Sequence, residues 1–257
     1  MLIKNSLVFI FGLTIGSFLN VCIYRLPKGI FLKQKFSFCP HCKRRIKWFD
    51  NIPLISYVLL RGHCRYCGQR ISFIYPLVEL ITGLSFLSLF IYFGVTPFFF
   101  IYFFLICALI VATFTDFKEQ IVPDEVTLGG LALGLLISFI YPTLHEVGSH
   151  WIGLFNSFLG ALVGAGALYL TGVFGNIVFR KESMGGGDVK LLAMVGAFLG
   201  WKMVLLTFFI SPFFGAIAGI MLKLKKKAET IPYAPFLSLG SVISLIWGKE
   251  ILVWLGF

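Results

Sequence analysis

Four of the six cysteines fall into two C-x2-C pairs, Cys39-Pro40-His41-Cys42 and Cys64-Arg65-Tyr66-Cys67. Each such turn sets two thiolates on one side of a metal, and two turns complete a tetrahedral four-thiolate site. The interval between the pairs is slightly wider than the usual ribbon spacing, but extra loop residues cost little closure entropy. Cys39, Cys42, Cys64 and Cys67 therefore read as ligands of one zinc per chain. With no position open to water, that zinc is structural. Two unrelated knuckles or a redox pair are the plainer alternatives. His41 and His63 read as solvated neighbours of the ligands, and Gly62 as the residue that permits the second knuckle's turn. Cys22 and Cys107 lie in apolar runs and read as packing residues.

The acids are the second set, because the chain has only 11 of them. Asp116 follows an apolar run in Thr115-Asp116-Phe117-Lys118, and Asp188 sits in Gly185-Gly186-Gly187-Asp188-Val189-Lys190. Two carboxyls held close cannot both ionise cheaply. One keeps a proton, which provides a base to activate water and an acid to protonate a peptide carbonyl. Helix ends suggest a division: Asp188 charged at a helix N-terminus, Asp116 neutral at a C-terminus. The glycines read either as a joint or as bare backbone that pairs with an extended peptide. They are not a phosphate loop, since the G-x-x-x-x-G-K-[ST] spacing is absent. Asp124, after Pro123, reads as a helix N-cap. Glu79, about one turn into an apolar run, is either an anchor or a functional carboxylate.

These residues need elements to hold them, and the composition says what kind. Of 257 residues 58% are hydrophobic and 13% charged, with 30 Phe and 27 Gly. A soluble domain is about a quarter charged, so a soluble enzyme, a disordered tail and a disulfide-stapled module are excluded. The pattern is an all-α, multi-pass membrane protein. Apolar runs at 6–24, 75–93, 97–115, 126–141, 151–173, 189–200, 203–222 and 234–254 predict about eight transmembrane helices.

The first run is expected to be a retained helix, since no small-residue cleavage site follows it. The run at 189–200 is short, and charge decides its reading. With eight passes, 19 of the 22 Lys and Arg lie on one side, leaving Lys4, Lys202 and Lys249 on the other. Without that pass, the cluster Lys223, Lys225, Lys226 and Lys227 would face outward, against the positive-inside rule. Both termini are then expected outside, with the cysteine loop and both aspartates at the cytosolic face. The chain divides into a first helix (1–24), a cytosolic basic zinc-binding loop (25–74) and a seven-helix membrane part (75–257). The net charge of +11 is accounted for by that loop facing an anionic leaflet, so nucleic acid is not expected as a partner.

The motifs together resemble the prepilin peptidase, or type IV leader peptidase, family. Gly16-Ser17-Phe18-Leu19-Asn20 with Tyr24-Arg25-Leu26-Pro27 matches its opening, and the cysteine pairs match its zinc loop. Ile52-Pro53-Leu54-Ile55-Ser56-Tyr57, Arg61-Gly62 and Tyr75-Pro76-Leu77-Val78-Glu79-Leu80 match its middle segments. Asp116 with Ile121-Val122-Pro123-Asp124, and Gly185 to Lys190, match its catalytic motifs, the latter being the G-x-G-D signature of a wider class of intramembrane aspartyl proteases. The resemblance implies cleavage of the basic leader of type IV prepilins or pseudopilins by Asp116 and Asp188 in a bacterial inner membrane. It implies, second, transfer of a methyl group from S-adenosylmethionine to the new N-terminus, seated near the zinc loop. Gly185, Gly186, Gly187, Lys190, Glu79 and Gly62 are expected to bind substrate or support the site. A transporter with an acidic proton relay would not need the cysteine loop, and a non-catalytic zinc-bearing assembly factor would not need the paired aspartates.

Overall fold

Lipid offers the backbone no hydrogen-bond partner, so a chain this apolar satisfies its N–H and C=O groups inside helices. A computed structural model describes residues 2–33, 36–180, 184–224 and 231–256. Among these residues there are nine α-helices and no strand. They are α1 (Leu2–Arg25), α2 (Ile55–Leu59), α3 (Ile74–Phe93), α4 (Pro97–Glu119), α5 (Asp124–Ile140), α6 (His150–Phe179), α7 (Gly186–Leu199), α8 (Trp201–Leu224) and α9 (Ala234–Trp254). Local chemistry sets several ends. Gly94 and Gly200 close α3 and α7 at φ values of 63° and 80°, and Pro97 opens α4, where a missing N–H costs nothing.

Among the described residues six helices are long and apolar enough to cross a membrane: α1, α3, α4, α6, α8 and α9. By that measure the count is six, not the expected eight, because α5 has 17 residues and α7 only 14. Lys225, Lys226 and Lys227 lie outside the described residues.

The chain forms two compact units, Met1–Val111 and Ala112–Phe257. In the first, α1 packs on α3 through small residues. A Cβ on Gly16 would stand 2.6 Å from the Glu79 Cα. Phe86 of α3 contacts Phe99 and Phe103, with ring centroids 4.8 and 4.2 Å apart.

In the second unit α7 is the centre, with Leu191 to Phe198 all buried. It crosses α6 at Gly160 and Gly196, where a Cβ on either glycine would stand 2.1 Å from the other's carbonyl oxygen. Without a hydrophobic drive in lipid, close backbone approach of this kind is what holds helices together. The directions alternate. One end of the unit gathers the C-terminus of α4 with the N-termini of α5, α7 and α9. At the other, Gly200 meets His145 and Glu146 is ion-paired with Lys249. Although short, α5 and α7 each run from one end to the other.

Candidate functional site

The cysteine pairs fold into two matching knuckles. In the first, Cys39 N–H donates to the Arg44 carbonyl and Lys43 N–H to the Cys39 carbonyl, both at 2.9 Å. In the second, Cys64 N–H donates to Gln69 at 2.8 Å and Gly68 N–H to Cys64 at 2.9 Å. Lys43 and Gly68 occupy equivalent left-handed positions. All four Sγ atoms lie within 4.8 Å of one another, with Cys39 and Cys67 at 3.9 Å. Thiolates around a zinc stand about 3.8 Å apart, given Zn–S bonds of about 2.3 Å, so the cluster fits one metal ion. Backbone N–H donation from Cys67 is the main cause pulling the Cys64 thiol down to about 7. His41 and His63 stay outside the cluster, as expected.

Two contacts brace the knuckles. Asp50, the sole acid of residues 25–74, takes three hydrogen bonds from Arg65, at 2.6, 2.9 and 3.1 Å. The buried Glu79 carboxylate accepts the Leu54 N–H at 2.9 Å and a hydroxyl hydrogen bond from Ser17. Glu79 therefore fastens the loop to α3. Gly62 is buried at φ 70° with the Tyr57 hydroxyl 3.1 Å from where its Cβ would be, so no other residue fits there easily.

The carboxylates come together in the second unit. Asp116, three residues from the end of α4, is buried, and its Oδ2 accepts the Ala234 N–H at the start of α9 at 3.0 Å. The Tyr233 backbone N–H donates to it as well. Asp188 lies in the first turn of α7, near enough to feel the Asp116 charge. Its Oδ1 is buried with no hydrogen-bond partner among the described residues. Just outside α9, burial and then the Asp188 charge push the Tyr233 phenol up to about 12, so it remains a donor.

The expected division of charge meets a second helix end: the N-terminus of α9 lies on Asp116 and supplies backbone donors of the kind that favour a carboxylate. Two other expectations change. Asp124 is not an N-cap. Pro123 holds that position without a side-chain hydrogen bond, and Asp124 instead pairs with Lys190 at 2.7 Å, tying α5 to α7. Of the three glycines only Gly185 is extended; Gly186 and Gly187 form the first turn of α7. Gly187 makes room for a neighbour, since its Cβ would stand 3.0 Å from the Val122 Cβ. Ala234 and Tyr233 were missed altogether. Their contribution is backbone N–H, which no residue type announces.

Several membrane-crossing helices, two carboxyls at one end of a helix cluster and a four-cysteine cluster are the parts of a membrane enzyme. The comparisons with known proteins say of which family. Residues 10–93 match the bacterial peptidase A24 N-terminal domain and residues 103–220 the type IV leader peptidase family. A prepilin leader peptidase/N-methyltransferase of Pseudomonas putida is 33% identical over 96% of this chain and 91% of its own length. Proteins of the same name from Aeromonas hydrophila and Pseudomonas aeruginosa are 35% and 36% identical, over 97% and 93% of this chain and 92% and 89% of their own. No solved structure matches the chain. The chain belongs to the type IV leader peptidase family.

Proposed function

We infer that this chain removes the leader peptide from type IV prepilins or pseudopilins and methylates the N-terminus so exposed. The observation that carries the first activity is the pair Asp116 and Asp188, brought to one end of the second unit from helices far apart in sequence. Asp116, supplied with two backbone donors, is the ionised member and takes a proton from water. Asp188, whose buried Oδ1 has no hydrogen-bond partner among the described residues, holds the proton and gives it to the scissile carbonyl as water adds to the carbon. The tetrahedral adduct collapses with cleavage of the C–N bond as the proton taken by Asp116 passes to the leaving amine, and one hydroxyl proton of the adduct returns to Asp188 as the new carboxyl forms. Tyr233 stands beside the pair as a further donor.

The cysteine cluster supports a structural zinc, which would pin the two knuckles together and supply no step of the cleavage. The same loop is the best seat for methyl transfer from S-adenosylmethionine, because it is the one large segment between membrane helices. The supporting roles we assign to Gly185, Gly186, Gly187 and Lys190 concern the peptidase end, and those of Glu79 and Gly62 the loop. Membrane orientation follows the charge. The loop and the carboxylate end face the cytosol of an inner membrane, both termini lie outside, and the end-to-end runs of α5 and α7 bring the passes to eight. Functionally the chain then has three parts: helix 1–24, loop 25–74 and membrane enzyme 75–257.

The test is direct. Purified protein is incubated with a prepilin-like peptide in detergent or vesicles, and products are read by mass for leader loss and for one added methyl group. An intact peptide after incubation with folded enzyme would refute the reading.

A further inference from the structure

The cysteine loop carries an apolar surface that neither the metal cluster nor cleavage accounts for. Trp48, Ile55, Val58 and Leu59 are 81%, 56%, 71% and 76% exposed, and Phe73 joins them just before α3. On a water-facing loop, such a cluster is a liability and marks a contact surface. The hydrogen bond from Leu54 to Glu79 fixes where that surface lies. Glu79 is five residues past Ile74, the start of a membrane-crossing helix, or about 7.5 Å along its axis. Helical side chains lean back toward the N-terminus, so Leu54 stands beside the first turns of α3 and not above them.

The turn at Leu54 gives the surface its direction. Ile55 N–H donates to the Pro53 carbonyl at 2.6 Å, and Leu54 has a φ of 59° and a ψ of −48°. That is the high-energy form of the γ-turn, a conformation that persists only where its surroundings hold it. Here the Glu79 carboxylate does so. The chain reverses beside α3 and runs directly into α2, with Ser56 turned inward onto the Phe49 carbonyl at 2.8 Å. Ile55, Val58 and Leu59 are left facing out.

Charge selects the occupant. Residues 25–74 contain 11 Lys and Arg and a single acid, Asp50, which Arg65 already neutralises. Lys47 precedes Trp48, and Arg61 follows α2 closely. A second copy of the loop, or a basic leader, would be repelled. Anionic headgroups would be attracted, and the segment is tethered to the bilayer at both ends, by α1 and α3.

We propose that Trp48 and the outer face of α2 form a foot that lies in the headgroup–acyl boundary of an anionic leaflet. Interfacial helices bury their apolar face at that depth, about 5–10 Å, and Trp is favoured there. The foot holds the metal-bearing knuckles against the membrane surface.

Full-length protein is reconstituted in nanodiscs of phosphatidylcholine alone or with about 30 mol% phosphatidylglycerol, using chains brominated near the headgroup or near their ends. The signal of Trp48 is the fluorescence difference between wild type and Trp48→Phe. Near-headgroup bromines should quench it, chain-end bromines should not, and quenching should be about twofold stronger in the anionic discs. Hydrogen exchange at residues 55–60 should slow in parallel. A Val58→Ser/Leu59→Ser variant, its fold verified by unchanged metal content, should speed that exchange. An unquenched Trp48, or equal quenching in both lipids, overturns the proposal. So does protection of 55–60 that appears only when prepilin peptide is added. None of these readouts depends on peptide cleavage.

Discussion

The cysteine centre and the carboxylate pair are built in opposite ways. Each knuckle is a closed circuit of seven or eight residues, with its own backbone hydrogen bonds, and the two need only meet. The carboxylate pair has no local circuit. Asp116 depends on an N–H donated from 118 residues further along, and Asp188 on the seating of α7 against Val122 and α6. A site made of local turns assembles once its segment folds. A site made of helix ends exists only when the whole helix cluster is in place, so it inherits every packing error in that cluster.

The largest effects should come from the carboxylates themselves. Asp116→Asn and Asp188→Asn should each lower cleavage by roughly a hundredfold to ten-thousandfold, the usual worth of a general acid or base. Bound metal, measured by mass spectrometry of the eluted ion, should not change. The reverse experiment uses Cys39→Ser or Cys67→Ser. Metal should fall from about one per chain toward zero, exchange across 36–70 should rise, and methylation should drop further than cleavage. Loss of both activities in equal measure would join the two centres that the structure keeps in separate units.

The dependence of the pair on α9 has its own test. Replacing Ala234 with lactic acid exchanges one N–H for an ester oxygen and leaves the side chain unchanged. Cleavage should fall about tenfold, as for loss of one charge-assisted hydrogen bond. Bound metal and the folded fraction should not change, because the exchange removes only a donor to Asp116. A smaller effect is expected of packing. Gly196→Ala would press a methyl group into the Gly160 carbonyl and should cost about 1–3 kcal/mol in unfolding, lowering cleavage only in proportion to folded protein. The smallest belongs to Lys190 and Asp124. Their pair is half exposed, and a double-mutant cycle in thermal unfolding should find under about 1 kcal/mol between them.

The same contrast explains what could be read in advance. Knuckle residues announce themselves by spacing, and helices by length of apolar run. The expected 75–93 and 234–254 are Ile74–Phe93 and Ala234–Trp254. Helix ends near polar residues were harder. The expected 151–173 extends to Phe179, because Thr171 and Asn176 are tolerated inside α6. Tertiary partners were not legible at all. Asp124 looked like a cap because Asp usually is one, and only the fold brings Lys190 to it. The backbone donors on Asp116 are equally invisible in the sequence, because they belong to the start of another helix.

The length of α7 has a consequence for the bilayer. Fourteen residues make about 21 Å of helix, against a hydrocarbon core of about 30 Å. Other helices enclose it, so no lipid has to thin to match it. A helix of that length, if it crosses the bilayer, ends short of the depth its longer neighbours reach. Water would then need to come only to that depth to meet Asp188 in its first turn, and a substrate could offer its scissile bond there while its apolar helix stayed in lipid.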